Sequence, residues 1–210
     1  SWFKDDMRKA RRMITEAIQL KSDEPAYLLL LGNAEYSMGH FNEAIGNYKN
    51  ALKIDPKNPV VLMKMAELYF EKELYQEASK VLNRLTKLSP KNAEAFELLG
   101  DAMMENGQLP KAISTYMRAR KLAPNSGSVP LKLGNCFKNQ GKLDRALRFY
   151  KIAERNDPSN AMVYYQMGYV YKDLGRYRES IDKFKEYLRK KPDAIDADQI
   201  NEEIRDLSRL

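Results

Sequence analysis

Apolar residues recur along this chain at intervals of three and four within windows of about 14 residues, the spacing that places them on one face of a helix. Two such windows form a unit, and the unit recurs every 34 residues in five copies without insertion. In the first window of each unit the stripe reads Leu28, Leu31 and Glu35, then Leu62, Met65 and Tyr69, then Phe96, Leu99 and Met103, then Leu133 and Phe137, then Tyr164, Met167 and Tyr171. These are predicted core positions, with Glu35 out of character and Tyr36 beside it as the candidate to compensate. Small residues repeat in the same register. Gly32 returns as Ala66, Gly100, Gly134 and Gly168, and Ala44 as Ala78, Ala112, Ala146 and Ser180; the large residue Tyr48 returns as Leu82, Tyr116, Tyr150 and Phe184. The pattern predicts two helices per unit that approach closely at the small positions, where a large side chain would overpack.

Punctuation falls where those helices need to end. Gly39, Gly107, Gly141 and Gly175 suit a helix terminus with positive φ, so Glu73, in the same place, predicts a strained or differently built turn. Pro56, Pro90, Pro124, Pro158 and Pro192 close the units, because the residue before Pro is biased away from the helical region. Pro110 stands near a helix start, where its missing N–H costs nothing. Asn125-Ser126-Gly127-Ser128, followed by Pro130 in place of a large apolar residue, predicts a late start to the fourth unit and the softest joint of the array, with a hinge as the alternative.

The combined pattern of Leu31-Gly32, Ala34, Gly39, Ala44, Tyr48, Ala51 and Pro56 resembles the tetratricopeptide repeat, and the resemblance covers Pro25 to Pro192. It implies an all-α, right-handed superhelix of stacked antiparallel helix pairs. The repeats are read as 25–58, 59–92, 93–126, 127–160 and 161–192, the last extending to 194 at most. Residues 1–24 read as the second helix of a truncated repeat, Met7 to Leu20, whose apolar positions Ala10, Ile14, Ala17 and Leu20 keep the register of Ala44, Tyr48, Ala51 and Ile54; a natural half-repeat cap is the alternative. Residues 193–210 read as a C-terminal capping helix with the stripe Ala197, Ile200, Ile204 and Leu207. There Asp196 with Gln199 resembles a capping box and Tyr187 is placed to fill the contact.

Composition narrows the chemistry. Cys136 and His40 are the single Cys and His of the 210 residues, so neither a disulfide framework nor a Cys/His metal site can be assembled. Cys136 reads as a small packing residue and His40 as a solvated turn residue. With no glycine-rich phosphate loop and no catalytic partner set, the expectation is a non-enzyme without cofactor or metal. No apolar run approaches the roughly 18 residues of a membrane span, which suggests a soluble, cytoplasmic protein. The net charge of +7 is unevenly spread: the five repeats carry 0, +2, 0, +4 and +4, and the tail from Asp193 carries −4.

In the family, one face of each first helix lines a concave groove, and the resemblance carries that face onto Ala26, Leu29, Asn33, Tyr36 and Ser37, then Val60, Met63, Glu67, Phe70 and Glu71. The third copy gives Glu94, Glu97, Asp101, Met104 and Glu105. The fourth gives Ser128, Leu131, Asn135, Lys138 and Asn139, and the fifth Met162, Tyr165, Tyr169, Lys172 and Asp173. Six carboxylates on two successive first helices, with Lys64 alone among their cations, call for a partner segment with basic and apolar residues. Burying a Met or Phe contributes roughly 1.5–3 kcal/mol, whereas an exposed ion pair is worth ~0–1 kcal/mol. Met63, Phe70, Met104, Tyr165 and Tyr169 are therefore the candidate anchors. Asn33 and Asn135 match the asparagine of the two-carboxylate clamp of some family members, but Leu29 and Leu131 stand where its first basic residue belongs, which argues against that ligand.

The expected role is a scaffold or adaptor that binds a protein or peptide, with no small-molecule substrate. A competing reading uses the basic second helices, Arg145, Arg148, Lys151 and Arg155 or Arg178, Lys183, Lys185, Arg189, Lys190 and Lys191, against an acidic protein, membrane or nucleic acid. Self-association through Trp2 and Phe3 is a third.

Overall fold

A computed structural model describes residue 9, residues 12–16 and residues 24–210. From residue 24 on, the chain alternates first and second helices of the repeats: α1 (Pro25–Ser37), α2 (Phe41–Ile54), α3 (Pro59–Glu71), α4 (Tyr75–Leu88), α5 (Ala93–Glu105), α6 (Leu109–Leu122), α7 (Ser128–Asn139), α8 (Leu143–Asn156), α9 (Ala161–Asp173), α10 (Tyr177–Lys190) and α11 (Ala197–Leu207). Residues 12–16 are helical, within the helix expected over Met7–Leu20; the rest of that helix, with Trp2 and Phe3, lies outside the described residues. Among the described residues no helix is long and apolar enough to cross a membrane.

The chain divides into two compact units, Ser1–Ala112 and Ile113–Leu210, the division falling within α6. In the first, α1 packs on α2, α2 on α3, α3 on α4 and α4 on α5; in the second, α7, α8, α9, α10 and α11 pack each on the next. Connections of three to six residues between helices make sequential neighbours antiparallel.

Each first helix ends the same way. The N–H of His40, Leu74, Gln108, Lys142 or Arg176 bonds back to the carbonyl five residues earlier, at 2.8–2.9 Å, and the preceding residue has positive φ. This is a Schellman termination, and it explains the glycines. Glu73 adopts φ +57° in its repeat, the strained turn anticipated from its lack of glycine.

Helix starts carry a signal that the repeat pattern held but the sequence reading passed over. Asn58 Oδ1 accepts from the N–H of Val60 and Val61, Asn92 Oδ1 from Ala95, and Asn160 Oδ1 from Met162, so asparagine caps α3, α5 and α9 one period apart or two. In the fourth repeat Ser126 takes that place, its hydroxyl 3.4 Å from Val129 N, and α7 starts one residue late in register. Asn156 ties the loop before it, donating to the carbonyls of both Pro124 (3.0 Å) and Ser126 (2.9 Å).

The interior follows the small-against-large rule. A Cβ on Gly32, Gly134 or Gly168 would stand 2.4, 2.3 or 2.5 Å from the ring of Tyr48, Tyr150 or Phe184. The second repeat has Ala66 at the glycine position, and there the ring is replaced by Leu82; both are buried. The alanines at 44, 78, 112 and 146 are fully buried, and Ser180 is accommodated because its hydroxyl donates to the Gly168 carbonyl at 2.8 Å. Cys136 is buried as a packing residue.

Three local expectations need correction. His40 is not merely solvated: its Nδ1 lies 2.7 Å from Glu35 Oε2, and Glu35 is only 3% exposed, so the buried carboxylate takes the partner that burial demands. Tyr36 does not fill the core in its stead but meets Phe41 edge-on at 5.8 Å. At the tail, Asp196 makes no capping bond to α11. Its Oδ1 instead accepts from the Tyr187 hydroxyl at 2.6 Å, while Ile200 and Leu207 of the expected stripe bury beside Tyr187.

Candidate functional site

In the N-terminal unit the first helices set several of the expected groove residues around one cavity of about 270 Å³, lined by Asn33, Tyr36 and Ser37 of α1, Tyr48 of α2, and Lys64 and Glu67 of α3. Helical spacing explains the grouping, since Asn33, Tyr36 and Ser37 are separated by three and four residues, as are Lys64, Glu67 and Glu71. Tyr48 and Lys64 were absent from the sequence-based list. Tyr48 is buried in the core of the helix pair and lines the cavity from the second helix.

Hydrogen bonds fix the wall chemistry. The Tyr48 hydroxyl donates to Asn33 Oδ1 at 2.7 Å, which leaves the Asn33 amide N–H groups as donors. The Tyr36 hydroxyl donates to Glu71 Oε2. Lys64 Nζ sits 2.8 Å from Glu67 Oε2. Both tyrosines feel the negative charge: the Tyr36 hydroxyl is held above its ordinary pKa by its bond to Glu71 and by burial, and Tyr48 is pushed up to about 12 by burial, with Glu67 adding to the effect.

Beside the cavity, Met63 and Phe70 are half-buried against the core of α1–α5, with Phe70 edge-on to Tyr75 at 5.1 Å, whereas Val60 is largely exposed. On α5, Glu94 and Glu105 are exposed and Glu97, Asp101 and Met104 half-buried. Across α1, α3 and α5 there is one lysine against seven carboxylates, the buried Glu35 included.

The corresponding residues of the C-terminal unit are occupied within it. Asn135 Oδ1 accepts from the Tyr150 hydroxyl at 2.8 Å, as Asn33 does from Tyr48. Lys138 Nζ donates to Gln166 at 2.6 Å. Tyr165 and Tyr169 meet each other edge-on and pack on Tyr187 and Phe184 in the core that α11 completes. Lys172 bridges to Glu203 of α11 at 2.6 Å. Leu131 is half-buried. The two tyrosines thus have more of their surface committed to the cap than an open anchor would.

The basic second helices are partly neutralised. Lys183 pairs with Glu154, Arg189 with Glu186 and Arg176 with Glu179. Arg120 and Arg145 lie over the rings of Phe149 and Phe137, which stack on each other at 5.3 Å. A cavity of about 570 Å³ lies at the start of α8, where Lys142, Arg145 and Arg148 share the lining with Asp144.

Models of the tetratricopeptide repeat match residues 35–102, 94–126 and 161–193, and a TPR repeat model matches residues 134–175. The fold is similar to that of YrrB, described as a TPR protein with an unusual peptide-binding site, at a TM-score of 0.73 and 23% identity over 90% of this chain and 97% of that one. It is similar also to MamA (TM-score 0.75, 28% identity, 80% of this chain and 92% of that one) and to pilF of Pseudomonas aeruginosa (TM-score 0.77, 18% identity, 96% and 92%). No curated protein matches the sequence closely enough to be called a relative. The period, the Schellman turns, the nested helix pairs and these matches agree: this chain belongs to the tetratricopeptide repeat family.

Proposed function

We propose that the chain is a protein-binding scaffold that holds a segment of a partner protein against the first helices of its N-terminal unit, and that this segment carries basic and apolar residues. The family is one of interaction modules, and YrrB, similar in fold, is described with a peptide-binding site. The observation that carries the reading for this chain is the face of α1, α3 and α5, where Met63, Phe70 and Met104 are half-buried among Glu67, Glu71, Glu94, Glu97, Asp101 and Glu105. Methionines adapt to more than one ligand surface and supply apolar area, while the carboxylates set orientation and on-rate. Tyr165 and Tyr169 serve the C-terminal unit as packing residues first, which makes the N-terminal face the better docking surface.

Affinity capture with quantitative mass spectrometry tests this. Partners held by the wild type are lost with Met63→Ala or with Glu97→Lys/Asp101→Lys, and retained with Arg148→Glu/Arg155→Glu. The reverse pattern, with both sets of variants folded by circular dichroism, would sink the proposal.

A further inference from the structure

The cavity between α1 and α3 has the chemistry of a side-chain pocket. Its three hydroxyl protons are already committed, that of Tyr48 to the Asn33 amide oxygen, that of Tyr36 to the Glu71 carboxylate and that of Ser37 to the Asn33 backbone carbonyl. What remains toward the cavity is acceptor capacity on Glu67, together with aromatic surface and the Asn33 amide N–H groups, and Glu71 stands beside the lining, tied to it through the Tyr36 hydroxyl. With Glu71 counted beside the lining, two carboxylates stand against Lys64, and the charge balance favours a cation. The protein itself illustrates this: Lys64 already rests its ammonium on Glu67 at 2.8 Å, and its side chain is half-exposed.

A single ammonium, with its compact charge, satisfies one such carboxylate at a time. Glu67 and Glu71 stand one helical turn apart, and a guanidinium presents five N–H donors in a planar fork that can bridge two carboxylates while lying on a tyrosine ring. The Asn33 N–H groups are suited to a backbone carbonyl of the same segment.

Resting on the proposed function, we infer that this cavity is an arginine subsite: it takes the guanidinium of an extended partner segment, with Glu67 and Glu71 as acceptors and Asn33 holding the adjacent peptide carbonyl. Lys64 is the resident competitor that an incoming arginine displaces. Its removal strengthens binding, an effect that a purely structural Lys64 would not produce.

The test starts from a random twelve-residue peptide library displayed on phage and selected on the whole chain, followed by titration calorimetry of an enriched peptide. The expected peptides carry an arginine beside aliphatic residues. Glu67→Gln/Glu71→Gln then weakens binding about tenfold, replacing the peptide's arginine by citrulline does the same, replacement by lysine costs less, and Lys64→Gln tightens binding a few-fold. Citrulline and lysine change only the peptide, so these arms stand even if a protein variant misfolds. Peptides whose binding falls with Met63→Ala but not with Glu67→Gln/Glu71→Gln or citrulline would overturn the arginine subsite and leave the docking face intact. Peptides indifferent to Met63→Ala and to the carboxylates, or no enrichment at all, would overturn both.

Discussion

The second and fourth repeats follow one backbone plan and solve it with different side chains. In the second, Ala66 faces Leu82, Glu73 closes the first helix, and the outer face carries Glu67 and Glu71. In the fourth, Gly134 faces Tyr150, Gly141 closes the helix, and the outer face carries Asn135 and Lys138, each bonded within its own unit. The difference teaches that the repeat conserves a summed volume and a turn conformation rather than particular residues. The first helix also differs where it meets that position: Asn33 and Asn135 accept the hydroxyls of Tyr48 and Tyr150, whereas Glu67 and Tyr169 stand opposite Leu82 and Phe184, which have no hydroxyl to place.

The largest effect comes from mixing the two interiors. Leu82→Tyr alone forces a ring against the Ala66 methyl and costs roughly 1–3 kcal/mol, and Ala66→Gly alone costs about 1 kcal/mol of helix propensity. Together they restore the Gly134–Tyr150 arrangement, so the double variant is more stable than Leu82→Tyr, with a coupling of about 1–3 kcal/mol. Urea unfolding of the four proteins measures it. Strict additivity would show that the two positions do not share one space.

Alkali separates the repeats next. Tyr150 is driven well above its ordinary pKa by burial, with the Cys136 thiol beside it adding to the rise. A raised folded-state value means that the neutral phenol is favoured by folding, so its contribution is complete below the unfolded value near 10 and is lost as pH climbs past it. Leu82 contributes nothing of the kind. Tyr150→Phe forfeits the bond to Asn135, about 1 kcal/mol at neutral pH, yet loses less stability than the wild type between pH 10 and 12. Leu82→Phe leaves the wild-type pH slope unchanged. Unfolding midpoints against pH, with tyrosine absorbance as the ionisation probe, test both.

Much of this was legible in the residues because it is local and periodic. Helix pairs, core stripes, Schellman glycines and the strain at Glu73 follow from spacing alone. Asn58, Asn92 and Asn160 were equally legible as caps, since they keep the same register, but they are polar and lie outside the apolar stripes that define the period. Other features depend on which side chains meet across helices. Nothing in one dimension pairs His40 with Glu35, diverts Asp196 from its helix to Tyr187, or commits Tyr165 and Tyr169 to the core beneath α11. For the candidate site, the face was readable and the cavity was not, because Tyr48 reaches it from the second helix and Lys64 lies off the expected stripe.

The smallest expected effect lies in the turns. Glu73 holds φ +57°, a conformation costing an L-residue roughly 1–2 kcal/mol, while glycine gives back part of that advantage through the greater freedom of its unfolded chain. Glu73→Gly should therefore stabilise the protein by about 0.5–1 kcal/mol, and Gly141→Ala should destabilise it by a similar amount, because its φ of +70° is maintained by the Schellman bonds on either side. Thermal unfolding distinguishes the two. No atom lies within 4 Å of a Cβ placed on Gly141, so a loss there is backbone strain and not a clash. If Glu73→Gly proved destabilising, the Glu73 side chain would have to hold the turn of the second repeat by a contact of its own, and the contrast with the fourth repeat would be one of side-chain chemistry instead of backbone strain.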